Sequence, residues 1–405
     1  MRLSPVILAL AVTAPAALHS QGIPTRILTR PDAEWAEPFS QIVGVRELKN
    51  GRVIVADDRD KVIQLITFNG EAKTIGREGS GPGEYGFPRA VFAAPGDSTW
   101  VFDLLNSRYL VIDPEGKPVS TFTMVDGGPP GPDAGSRGGA ARGGGRGAFG
   151  LGFAQGIDER GRLYFRAPTI QTGGNDAASD TTPIVRWDRK TRDFDTVGVL
   201  VTPRGPTRSL PSGGGGGRGE VRATVRIGSA TPFGSADAYV VMPSGDVAVV
   251  RAIDYHVDWI ANGRTVSGPA IRYDRVKVTN DDKVAWAEQR KNATATMVVN
   301  DGSGRKVQNV PLSSLDEAPA FPELKGPFIN AVAGPNGQVW VQKHMPAGSP
   351  PTYDVIDRGG KLASRVVLPK KTRLIGFGTG TVYVARIDDD DLQYLQRYRL
   401  TGSPR

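Results

Sequence analysis

The chain contains no cysteine in 405 residues. That excludes disulfides, a thiolate nucleophile, sulfur ligation of a metal and a lipid-bearing cysteine. Histidine is nearly as scarce, with only His19, His256 and His344. The spacing of the last two fits no zinc motif. Aspartates do run together at Asp388–Asp391, but without the alternating spacing and turn glycine of a calcium loop, so the run reads as a solvated loop. There is no Gly-x-Ser-x-Gly elbow and no phosphate loop. No stretch approaches ~18 uninterrupted apolar residues, so nothing reads as a transmembrane helix.

The start of the chain is not read as fold. Met1-Arg2 is a short charged opening, Pro5 to Leu18 is apolar and small, and His19-Ser20-Gln21 offers a processing point. The pattern predicts a secretory signal peptide over residues 1–20 and a secreted or periplasmic protein. The remainder, 21–405, is expected to form a single domain. The formal net charge is +8. Much of the excess sits in one Gly-rich insert, where Arg204, Arg208, Arg218, Arg222 and Arg226 face only Glu220. Basic residues are not interleaved with aromatics along an element, so nucleic acid is not an expected partner. The Arg-Gly-rich residues 137–146 read as a flexible linker for the same reason.

What the chain has in abundance is glycine, 52 residues, punctuating short apolar runs. The clearest example is Gly51–Pro88. Val53–Asp57, Val62–Phe68 and Ala72–Gly76 read as strands, Asn69-Gly70 as a type I′ hairpin turn, and Gly79–Tyr85 as a corner. The unit recurs. VIVAD (Val53–Asp57) aligns with TWVFD (Thr99–Asp103), RLYFR (Arg162–Arg166), VAVVR (Val247–Arg251), VWVQK (Val339–Lys343) and VYVAR (Val382–Arg386). Each follows a turn and an earlier apolar strand, and most are followed by a third and fourth strand. A hairpin repeated six times predicts an all-β, six-bladed β-propeller with four-stranded antiparallel blades. The first and last repeat intervals match the ~40–50 residues of one blade. The longer ones contain insertions at 126–150, 203–219 and 272–325, plus a polar loop at 171–182. Within 272–325, Asn280 to Ala295 reads as a short helix capped by Thr279 or Asn280. Thr296–Val310 reads as an extra hairpin or a degenerate seventh blade. The last unit has only three strands. An N-terminal strand, Pro24–Leu28, is expected to close it, because propellers avoid exposed edges. The inserts 126–150 and 203–219 are expected to be flexible.

Asp103-Leu-Leu-Asn106-Ser-Arg108-Tyr109, with the corner Gly79–Tyr85 and Pro88, resembles the NHL-type repeat of six-bladed propellers. The resemblance is best over residues 41–125, and it extends to exported bacterial propellers of unassigned activity. It implies a ligand- or protein-binding module or, alternatively, a metal-dependent hydrolase, lactonase or lyase. Fold alone decides little between them.

One contrast in the alignment bears on function. The landmark strand closes on Asp57 and Asp103 in the first two units, and on Arg166, Arg251, Lys343 and Arg386 in the other four. These ends open on the face that carries the insertions. The four basic residues are therefore the candidate ligand-binding set for a small anionic ligand, unless they serve as ion pairs between blades. The expected partners are that ligand or an extracytoplasmic protein, acting on a monomer. No catalytic residue, metal or cofactor is assigned.

Overall fold

The computed structural model describes residues 22–123, 154–167, 181–202, 231–234, 236–291, 294–300, 305–311 and 320–400. Six antiparallel sheets follow one another along the chain, each built outward from an inner strand. Blade one is Ile42–Glu47, Val53–Asp57, Val62–Ile66 and Ala72–Thr74. Blade two runs from Pro88–Ala93 to Pro118–Thr123, blade three from Gly156–Ile157 to Phe194–Val201, and blade four from Ala238–Val241 to Arg264–Ser267. Blade five runs from Phe328–Ala333 to Leu362–Val367, and blade six begins with Thr372–Gly378, Thr381–Ile387 and Gln393–Arg399. All six landmark strands are the second strand of their blade. The protein is a six-bladed β-propeller.

Second strands read as unbroken apolar runs because both their faces are covered. In blade one, Ile54 and Ala56 pack toward blade two with Val101 and Leu110. Val53 and Val55 point the other way, into a cluster with Tyr383 and Ala385 of blade six. The same division recurs around the ring, giving six seam clusters and no single core. Each fully buried Val, Leu or Ile contributes about 1.5–3 kcal/mol by leaving water.

The ring is closed by the N-terminal chain, with one correction to the expected register. Thr25–Ile27 adds in parallel to Leu362–Val367 as a fifth strand of blade five. The strand that completes blade six is Ala33–Glu34, antiparallel to Gln393–Arg399. Seam filling explains the shift. Leu28 is buried between blades five and six beside Trp340 and Val384, whereas Trp35 and Phe39 fill the seam between six and one.

Turn geometry differs as well. At Asn69-Gly70 only Gly70 has positive φ (101°). The N–H of Thr67 reaches the Glu71 carbonyl, and the N–H of Gly70 reaches Thr67. This is a turn with one left-handed glycine rather than type I′. The same pair of bonds recurs at Leu48/Gly51, Asp113/Gly116, Asp158/Gly161, Met242/Gly245 and Asp357/Gly360. The common solution lets an Asp at the first position accept two backbone N–H bonds, as Asp113, Asp158 and Asp357 do.

The insertion before blade five contains the expected helix, Asn280–Lys291. Thr279 caps it: its hydroxyl accepts from Asp282 N–H (3.3 Å), and its own N–H donates to Asp282 Oδ2 (2.9 Å). The helix stops short of Ala295 because Thr294 already opens a strand. Thr294–Asn300 and Arg305–Pro311 pair antiparallel as a separate two-stranded sheet, an extra hairpin and not a seventh blade. The expectations for 126–150 and 203–219 lie outside the described residues.

Candidate functional site

Strand order puts the ends of the second strands and the starts of the inner strands at one end of the disc. The connections that carry the insertions emerge at the same end. The residues closing the second strands are therefore the natural place to begin.

In blades one and two these are buried aspartates that brace the backbone. Asp57 accepts from Gln41 N–H (2.9 Å), Arg59 N–H (2.9 Å) and Asp60 N–H (3.0 Å). Asp103 Oδ1 accepts from the N–H of Gly86 and Phe87, both at 3.0 Å, and its Oδ2 from Asn106 Nδ2 at 2.6 Å. Arg108 donates to the carbonyls of Ser80, Gly81 and Glu84. The Asp-x-x-Asn-x-Arg pattern thus ties the Gly-rich corner to the second blade.

The four basic residues fall into different settings. Arg166 follows Tyr164 on the face toward blade four, and Arg251 follows Val249 on the face toward blade three. They meet at Asp237. Arg166 Nη2 donates to its carbonyl (3.4 Å) and Arg251 Nη1 to its Oδ2 (2.7 Å). Arg251 also donates from Nε to Asp258 Oδ2 at 2.7 Å. Arg386 lies apart, paired with Glu34 of the closing strand at 3.0 Å and stacked over Tyr394. Lys343 ends its strand opposite Phe328. Among the described residues, neither Arg166 nor Lys343 has a carboxylate partner, whereas Arg251 and Arg386 do. The four do not converge as one ring of free charge.

The inner strands contribute residues that the sequence reading passed over. Arg89 and Arg373 are each the second residue of an inner strand, in blades two and six. Arg89 is ion-paired to Asp58. Arg373 Nη2 donates to the Ile42 carbonyl (2.8 Å) and Gln393 Oε1 (3.0 Å), with no carboxylate in ion-pair reach among the described residues. Arg373 is solvent-exposed, yet desolvation pushes its pKa down, with only partial opposition from Tyr353 and Asp58. Burial also pushes the Asp57 and Asp58 carboxyls up, against their hydrogen bonds and, for Asp58, against Arg89.

The histidines have separate partners. His256 lies between Asp254 (2.7 Å) and Asp258 (3.1 Å). His344 Nδ1 is 2.9 Å from the Gly326 carbonyl, and burial holds its pKa below the usual value. Beside it, Lys325 is buried against Asp282 of the helix at 2.6 Å and lies over the Phe233 ring. This pair fastens the helix to the crossing into blade five. Asp388 accepts from the N–H of Asp390 and Leu392, so the acidic run forms a turn. Among the described residues, no three His, Asp or Glu side chains are grouped to hold one metal ion.

No protein-family model matches the sequence, and no curated protein matches it. Solved structures do. A Bacteroides fragilis protein provisionally described as exported aligns over 93% of this chain and 98% of its own, at 11% identity and a TM-score of 0.45. A DUF4221 family member from Bacteroides vulgatus aligns over 91% and 96%, at 11% identity and 0.46. A virginiamycin B lyase from Staphylococcus aureus aligns over 90% and 86%, at 10% identity and 0.36. Likenesses of this degree carry no functional inference.

Proposed function

We propose that the protein is an exported binding module that takes a small anionic ligand at the insert-bearing end of its axis. Export rests on the signal-like residues 1–20. The anion rests chiefly on Arg373, an exposed guanidinium that donates to the Ile42 carbonyl and Gln393 and has no carboxylate in ion-pair reach among the described residues. A guanidinium with no carboxylate in ion-pair reach can form a charge-assisted pair with an incoming carboxylate or phosphate. Arg166 and Lys343 add charge at the same end, whereas Arg251 and Arg386 are already balanced by Asp237, Asp258 and Glu34. Ligand sites of this kind set a few polar groups on a rigid scaffold.

Calorimetric titration with glucuronate and with inorganic phosphate, at two salt concentrations, tests this. Arg373→Gln and Lys343→Gln should each weaken binding about tenfold and flatten its salt dependence. Arg386→Gln should leave both unchanged. Failure of both probes to bind the unaltered protein, or equal binding by Arg373→Gln, would sink the reading.

A further inference from the structure

Between blades three and four, away from Arg373, lies a recess of about 420 Å³. That is within the size range of small-molecule sites. Its walls are largely aliphatic, from Val199 and Val201 on the outer strand of blade three and from Ala252 and Ile253 in the loop after Arg251. Three of these are exposed: Val199 by 40%, Val201 by 44% and Ile253 by 91%. Exposed aliphatics scattered singly need no explanation, but here three line one recess.

The polar part of the recess is Arg251, and its hydrogen bonds can be counted. A guanidinium has five N–H groups. The one on Nε goes to Asp258, and the two on Nη1 go to Asp237 Oδ2 and the Val199 carbonyl (2.9 Å). The two on Nη2 have no partner among the described residues. The plane of the group is held from two sides by carboxylates that are themselves fixed. Asp237 also accepts from Val201 N–H (2.8 Å) and Ala252 N–H (3.0 Å), and Asp258 from Ser267 Oγ (2.5 Å). The loop is pinned from below, because Tyr255, buried and at φ 45°, donates its hydroxyl to Asp354 of blade five at 2.9 Å. A bulky residue in the left-handed region is strained unless its surroundings hold it there.

We infer that this recess is a second ligand site, for a short branched aliphatic group joined to a neutral carbonyl, as in an amide. The aliphatic part packs on Val199, Val201 and Ile253, and the carbonyl oxygen accepts from Arg251 Nη2. Charge balance selects the neutral carbonyl. Asp237 and Asp258 already offset Arg251, and Asp254 stands at the rim. A free carboxylate would therefore meet net negative charge. This recess is lined by neither Arg373 nor Lys343, and it takes a different class of ligand from the anion site at the axis.

Saturation-transfer NMR on the full chain, with isovaleramide and isovalerate as paired probes, tests the inference. Isovaleramide should show transfer to its methyl groups, and isovalerate at least about fivefold less. Ile253→Ser and Val199→Ser change exposed side chains and should fold normally, and each should reduce the amide signal at least threefold. Arg251→Lys, checked for folding by its amide spectrum, should abolish the preference for amide over carboxylate, because lysine cannot keep both carboxylates and still present a fixed outward donor pair. No transfer from isovaleramide, a stronger signal from isovalerate, or an undiminished signal in Ile253→Ser and Val199→Ser would each overturn it.

Discussion

Blades two and four solve one structural problem in opposite directions. In both, the loop after the second strand must be tied to the backbone that enters the inner strand. In blade two the acid is on the second strand: Asp103 reaches across to the N–H groups of Gly86 and Phe87. In blade four the acid is on the entering segment. Asp237 reaches back to the N–H of Ala252, and Arg251 takes the position that Asp103 holds in blade two. In these two blades the residue type closing the second strand reports which partner carries the acid. Blades one and four also differ in how they respond to protons. Burial raises the Asp57 carboxyl of blade one, a brace of the same kind as Asp103. In blade four, burial would raise Asp258, but the Ser267 hydroxyl and Arg251 outweigh it and hold it below its usual value.

The largest expected effect is on the brace of blade two. Asp103→Ala leaves the N–H groups of Gly86 and Phe87 without acceptors and removes the carboxylate 3.5 Å from Arg108 Nε. Urea unfolding should show a loss of about 3 kcal/mol or more. Arg251→Ala comes next. It strands Asp237 and Asp258, but Asp237 keeps two backbone donors, so the loss should be about 2 kcal/mol. If Arg251→Ala proves costlier than Asp103→Ala, the two braces are not equivalent and the comparison fails.

The third prediction separates the blades by pH. Asp258 has a lowered folded pKa, so its stabilisation is full above its unfolded value of 3.8 and is lost as pH falls through the folded value. Asp57 and Asp58 are raised, so what they contribute is present below 3.8 and is lost as pH rises through their folded values. Hydrogen exchange followed from pH 5 downward, corrected for intrinsic rates, should show the loop after Arg251 losing protection before the loop after Asp57. The reverse order would mean that the seam between blades three and four does not depend on its ion pairs. Arg386→Ala should have the smallest effect, below about 1 kcal/mol, because its pair with Glu34 is solvent-exposed.

Much of the fold was legible because an apolar second strand and a turn glycine recur at each blade. The second strands are apolar on both faces, and that pattern survives even where the repeat itself has drifted. The closure was legible in kind but not in register. A three-residue strand such as Thr25–Ile27 carries no pattern of its own, and its place depends on which seam Leu28 fills. The turn at Asn69-Gly70 was misread because one left-handed glycine and two leave similar traces in sequence. For the candidate site, the contrast between Asp in the first two units and Arg or Lys in the other four was visible, but its meaning was not. Arg251 and Asp237 are separated by a whole hairpin, and only the fold shows that they share hydrogen bonds. Arg373 was overlooked because nothing nearby in sequence marks it as lacking a carboxylate.

The N-terminal belt has a kinetic consequence. Residues 25–39 occupy strand positions in blades five and six before the chain enters blade one. A chain made from its N-terminus must therefore hold this segment unpaired until nearly all of it exists. Bringing Glu34 to Arg386, 352 residues away, costs roughly 5 kcal/mol of loop-closure entropy if they meet first. Stacking the blades in order spreads that cost over many short closures. In that order the belt docks last, and Leu28, Trp35 and Phe39 then fill the two seams beside blade six.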